Sequence, residues 1–252
     1  MSTQSLPHPP GAGLAAPLFL AAVAVTTLAA TAAGLPLTVA EVERAPYAPQ
    51  VAVVDTVSAL GRRATHPRTV TLADLVRYHG HPCDGLVVAA AGIVHGLHHL
   101  FPGGVVDRTD LVVAVNRSAC YGDAAAYLTG ARHRYGSLVV DPKLGDTWIL
   151  GRRSTGAAVR VALRPGVRPP ALPAQERALR GGGCDPGEIA AVQGLQRRFA
   201  LAVVNRPPAE LFTIEPLPRF PYPLGEPRPD TAKAGCPPPP TPPSTMKVRP
   251  PS

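Results

Sequence analysis

The chain has 252 residues, and 25 Lys and Arg against 17 Asp and Glu give it a formal net charge of +8. Its arginines are scattered singly or in pairs, with no basic block interleaved with aromatics, which argues against a nucleic-acid-binding surface. Thirty-two prolines, many of them near the C-terminus, leave a folded part of about 150 to 170 residues, the size of one domain.

The first 40 residues contain no Asp, Glu, Lys or Arg. Within them, Ala16 to Gly34 carries an apolar centre at Leu18 to Val25, and Ala30-Thr31-Ala32 fits a small-x-small cleavage site. Residues 1–33 are therefore read as a signal peptide, and the protein as exported to a periplasmic or extracellular space. No basic residue precedes the apolar run, which keeps open an uncleaved N-terminal membrane anchor or, third, a cytoplasmic Ala-rich extension. Residues 34–69 read as an extended lead-in or linker, broken by Pro46, Pro49 and Pro67.

From residue 70 the pattern becomes regular. Thr71 is a plausible N-cap for a short helix in which Leu72, Leu75 and Val76 share a face. After "HGHPCDG" (79–85), Leu86, Ala89, Ala90, Ile93, Leu97 and Leu100 recur at helical spacing up to Pro102, which predicts a buried helix. Asp110 to Val115 has strand character, and a helix starting near Tyr121 to Asp123 ends at Gly130. Three short strands are expected at 137–141, 147–150 and 158–163. A last helix begins at Asp185 as N-cap, with Pro186 at N1 and Glu188 at N3. The order is helix, strand, helix, three strands and C-terminal helix, an α+β layer with a mixed sheet over residues 70–217. Residues 218–252 are so rich in proline that they are expected to be disordered or in polyproline II.

Of the four cysteines, Cys83 follows His79 and His81, Cys120 sits at the strand-to-helix junction, Cys184 precedes a helix and Cys236 lies in the tail. No CxxC occurs, so a zinc ribbon, a thioredoxin site and c-type haem attachment lack support. Gly80 and Pro82 break the helix between the two histidines and Cys83, so their side chains can converge on one point. Imidazole nitrogen and thiolate sulfur suit zinc and other late divalent metals, with Cys120 the natural distant ligand and Asp123 one turn beyond it. Three other readings stand beside this one. Cys83 or Cys120 could be an activated thiolate nucleophile; the two could form a disulfide in an exported protein; or His79 could merely cap a helix while Cys83 packs in the core. His95, His98 and His99 read as the solvated face of an otherwise apolar helix.

The combination of His79, Gly80, His81, Cys83 and Gly85 with Cys120, Asp123, Ala124, Thr129, Gly130 and Gly136 resembles the FmdE domain of formylmethanofuran dehydrogenase and its relatives. The segment from Asn205 to Leu217 resembles the one that closes that domain. The resemblance runs from about Val70 to Leu217 and implies the same α+β fold, a divalent metal, most simply zinc, near the His/Cys motifs, and paired copies of the chain. Asp84 stands where that family usually has proline. The turn from Thr129 to Gly136 lacks the family's cysteine and lysine, and its C-terminal cysteine-rich finger is reduced to Cys236. The expected ligands are Cys83 and Cys120 with His79 and/or His81, with Asp123 orienting a ligand, binding a water or serving as a further ligand, in a catalytic site of unknown substrate or in a metal storage, delivery or sensing protein.

Overall fold

A computed structural model describes residues 36–56 and 66–225. The signal or anchor segment 1–33, residues 57–65 of the lead-in, Cys236 and most of the Pro-rich tail lie outside the described residues. Among the described residues no helix is long and apolar enough to cross a membrane.

The elements, in order, are α1 (Val39–Glu43), β1 (Gln50–Val54), β2 (Arg68–Thr71), α2 (Leu72–His79), α3 (Asp84–Leu100), β3 (Val105–Asp107), β4 (Leu111–Val115) and α4 (Ala119–Thr129). They continue with β5 (Leu138–Val140), β6 (Thr147–Arg152), β7 (Ala158–Leu163), α5 (Ala171–Arg180), α6 (Pro186–Val204), α7 (Pro208–Leu211) and β8 (Phe212–Leu217). The fold is α+β, with two mixed sheets. The larger has the order β5-β4-β6-β7-β8, with β4 and β5 parallel and the other pairs antiparallel. The smaller joins β2, β1 and β3.

The stretch read as an extended lead-in thus contributes a helix and two strands. Val51, Val53 and Val70 are buried, and α1 is tied down by an ion pair between Glu41 and Arg197 of α6. Breakers at Pro46 and Pro49 hid a five-residue strand whose alternation is too short to stand out in the sequence.

α3 is the organising element. Its stretch from Leu86 to Val94 is apolar all round, and nearly every residue from Leu86 to Leu97 is buried, as such a segment must be. It packs against Trp148, Leu150 and Val161 of the sheet on one side and against α4 and α6 on others. β4 is buried at all five positions, because both faces of the sheet are covered there. Part of that second cover comes from residues 218–225, the start of the stretch expected to be disordered. They turn back across the sheet as a strap, with Phe220 against Gly151 and Val112, the Tyr222 hydroxyl donating to Asp141 at 2.7 Å and the Gly225 N–H donating to the Gly136 carbonyl at 3.2 Å. Phe220 and Tyr222 supply the apolar contact that proline alone does not.

Candidate metal centre

The site forms where three helix ends meet. α2 starts on Thr71, whose N–H donates to the Asp74 carboxylate at 2.9 Å. It stops at Gly80, which adopts φ 101°, a left-handed conformation that glycine takes without steric cost. That stop leaves His79 on the last turn, facing inward. The chain then turns so that Cys83 becomes the N-cap of α3, its sulfur accepting the Leu86 N–H at 3.4 Å. Cys120 lies in the first turn of α4. Both thiols therefore sit at the positive ends of helix dipoles, where a thiolate is favoured.

Gly85 makes the approach of the two helices possible. A Cβ at this position would lie 3.0 Å from the Cys120 sulfur and 3.2 Å from its Cβ. The glycine of "CDG" is thus a packing requirement of the site itself.

The ligand atoms of His79, Cys83 and Cys120 all lie within 4.8 Å of one another. The two sulfurs are 3.5 Å apart, and Cys83 Sγ is 3.8 Å from His79 Nε2. His79 Nδ1 is 2.7 Å from Asp123 Oδ2. The Nδ1–H donates to that carboxylate, which turns the Nε2 lone pair towards the sulfurs. Both cysteines are free. The pair shares a hydrogen bond and titrates as a unit. The bond from Cys83 lowers the Cys120 thiol well below its usual range, against the effect of burial, with Ser118 and His79 helping. The same bond and burial raise Cys83.

Of the residues expected from the sequence, His79, Cys83 and Cys120 come together and Asp123 stands behind His79. His81 is exposed, its ring 4.6 Å from that of His79, and it is outside the three-residue cluster. His98 and His99 are exposed and His95 is half-buried near Phe212, all apart from the cluster.

Sequence reasoning missed a second layer built on Arg168, from the loop between β7 and α5. Its Nε is 2.8 Å from Asp146 Oδ2, its Nη1 3.2 Å from Asp84 Oδ2, and its Nη2 donates to the Tyr121 hydroxyl at 3.1 Å. Tyr121 in turn donates to Asp146. Asp84 and Tyr121 are the residues that follow Cys83 and Cys120, so one guanidinium braces the starts of both cysteine-bearing helices. Asp84 is 4% exposed, and burial pushes its carboxyl up to about 6 despite the opposing charge of Arg168. An acid opening so apolar a helix signalled the need for a counter-ion, but nothing in the sequence singled out Arg168.

The family model described as FmdE, Molybdenum formylmethanofuran dehydrogenase operon, matches residues 78–213, more than half of the chain. No curated protein matches. Among solved structures, a tungsten formylmethanofuran dehydrogenase FmdE-like protein from Syntrophus aciditrophicus is similar over 60% of this chain and 74% of its own, at 17% identity and a TM-score of 0.40.

Proposed function

The chain belongs to the FmdE family, and on that premise we propose that it is a zinc-binding protein whose ion is held by His79, Cys83 and Cys120. The observation that carries this reading is the mutual approach of one imidazole nitrogen and two sulfurs. With Zn–S near 2.3 Å and Zn–N near 2.0 to 2.1 Å, the ligand atoms of a tetrahedral site lie about 3.6 to 3.8 Å apart. The separations of 3.5 Å between the sulfurs and 3.8 Å between Cys83 and His79 come close to that spacing, and all three ligand atoms lie within 4.8 Å of one another. Soft sulfur with imidazole also favours zinc over the harder cations.

Three protein ligands would leave a fourth position, where a bound zinc would supply a Lewis acid towards a small molecule. Asp123 holds His79 in the tautomer that presents Nε2. The two helix N-termini favour the thiolates, and Arg168 fixes the distance between them. His81, at the exposed rim, is available to an incoming ligand rather than to the ion. The N-terminal apolar run and Ala30-Thr31-Ala32 support a protein that is exported before or while it acquires metal. N-terminal sequencing of the mature chain tests this, and an intact Met1 in a cytosolic fraction would contradict it.

Elemental analysis of wild type and Cys120→Ala, beside a free-thiol count, tests the site. About one zinc per chain, lost in the variant, is the expected result. Metal-free protein with Cys83 and Cys120 joined to each other would overturn it.

A second reading rests on the shared hydrogen bond of the two thiols, which leaves Cys120 as the stronger nucleophile. It requires a covalent adduct on Cys120 in metal-free protein after incubation with substrate, detected by mass spectrometry; none forms if metal binding is the whole function.

A further inference from the structure

A second concave site lies at the other end of β4. Cys120 follows the C-terminal end of that strand, whereas Arg152 pairs with Leu111 at its N-terminal end. Here the β6–β7 turn and the returning strap frame a half-open cavity of about 440 Å³. That volume suits a small molecule. Its lining includes Val112, Arg152, Arg153, Arg219, Phe220 and Tyr222.

Among the described residues, the charges at this site are unbalanced. Arg152 is neutralised by Asp110 at 3.1 Å, and its guanidinium stacks 4.2 Å above the Phe101 ring. Asp110 also accepts from the Ser154 N–H at 2.7 Å and from its hydroxyl at 2.6 Å, so its carboxylate is fully engaged. Arg153 is held in place by its backbone N–H, which donates to the Asp110 carbonyl at 2.8 Å. Among the described residues its side chain, however, reaches only the Gly225 carbonyl at 3.4 Å. Neither Arg153 nor Arg219 has a carboxylate partner among the described residues. Two guanidiniums on the wall of one cavity repel each other unless an anion lies between them, and each offers the planar fork that carboxylate and phosphate accept.

The apolar part of the wall is aromatic and fixed. Phe220 lies against Gly151, and its ring centroid is 5.6 Å from that of Tyr222. The Tyr222 hydroxyl is committed to Asp141, so Tyr222 presents its ring rather than a donor.

We infer that this cavity binds a small organic anion, its carboxylate or phosphate taken by Arg153 and Arg219 and its flat apolar body lying against Phe220 and Tyr222. The site is independent of the metal centre. The net charge of +8 draws such an anion towards the chain.

Isothermal titration of the full-length protein at low salt with phenyl phosphate, benzoate, inorganic phosphate and benzyl alcohol tests the proposal. Phenyl phosphate or benzoate should saturate at one per chain, and whichever binds tighter identifies the acidic group. Inorganic phosphate and benzyl alcohol should each bind about tenfold more weakly or worse, since each lacks half of the recognition. Arg153→Gln and Arg219→Gln should each weaken the aromatic acid about tenfold while leaving metal content and the unfolding temperature unchanged. Arg219 is exposed, so its variant keeps the test valid if Arg153→Gln folds poorly. No saturable binding of either acid at millimolar concentration would overturn the proposal. So would equal affinity for inorganic and phenyl phosphate, or variants that bind as tightly as wild type.

Discussion

Arg168 Nη1 lies 3.2 Å from Asp84 Oδ2, and Asp84 is the residue immediately after Cys83. The same guanidinium stacks 4.8 Å over the Phe199 ring and contacts Asp146 and Tyr121. Replacing Arg168 by Met keeps the volume but strands a buried carboxylate. The expected cost is about 3 to 5 kcal/mol of unfolding free energy at pH 8, measured by denaturant titration. The double variant Arg168→Met/Asp84→Asn should recover a large part of that loss. If it does not, Asp84 is not the group that needs Arg168.

The pH dependence of Asp84 has a definite sign. Its folded-state value of about 6 lies above the ordinary 3.8, so the folded protein takes up this proton more readily than the unfolded chain. Its contribution is fully present below about pH 4 and is lost as pH rises through 6, a change on the order of 3 kcal/mol. Unfolding free energies of Asp84→Asn should be flatter than wild type between pH 4 and 6. Parallel profiles would mean that the carboxyl titrates normally.

Gly85→Ala separates stability from metal binding. Alanine within a helix is intrinsically favoured over glycine by about 1 kcal/mol. The added Cβ would meet Cys120 Sγ at 3.0 Å, however, and must push the sulfur away from Cys83. A chelator competition assay should show affinity falling at least about tenfold, with the unfolding midpoint of metal-free protein falling much less, because helix propensity offsets part of the clash. Unchanged affinity would show that the helix starts can spread at no cost to the site.

Asp123 and His81 should behave differently. Asp123→Asn leaves all three proposed ligands but weakens the acceptor that orients His79, and the expected loss in metal affinity is about 10- to 100-fold. His81→Ala, which removes an exposed ring outside the cluster, should leave affinity within about threefold of wild type. A larger loss would bring His81 into the ligand set.

Alkylation of metal-free protein with iodoacetamide near neutral pH should label Cys120 before Cys83. The hydrogen bond from Cys83, with smaller help from Ser118 and His79, favours the Cys120 thiolate, whereas the same bond and burial hold Cys83 protonated. Peptide mapping of singly labelled protein reads the order directly. Equal labelling would mean that the two sulfurs do not share a proton in this way.

Much of the fold is legible because its periodicities are strong. The apolar run after Cys83 reads as a buried helix, and Asp185, Pro186 and Glu188 open α6 as their chemistry dictates. The missing elements, α1, β1, β2, β3, α5, α7 and β8, are short or depend on partners far along the chain. β8 carries Glu215 and Pro216 and is a strand only because β7 pairs with it. At the site, the convergence of His79, Cys83 and Cys120 could be argued from breakers and spacing. The choice between His79 and His81, and among the roles open to Asp123, could not be made there, because it depends on which way two rings and one carboxylate point. Arg168 is 84 residues from Asp84, and no local pattern connects them.

That separation has a consequence for assembly. During synthesis His79, Cys83, Cys120 and Asp123 all emerge well before Arg168, and β8 follows later still. For that interval the nascent chain carries two free thiols at helix starts that nothing yet holds at a fixed distance. A metal captured then would be gripped by a loose pair and would itself organise the helices. Once residue 168 docks, the same ion would have to enter a spacing already set. The distance along the chain between the sulfurs and their brace therefore sets an interval of synthesis in which both thiols exist before their spacing is fixed.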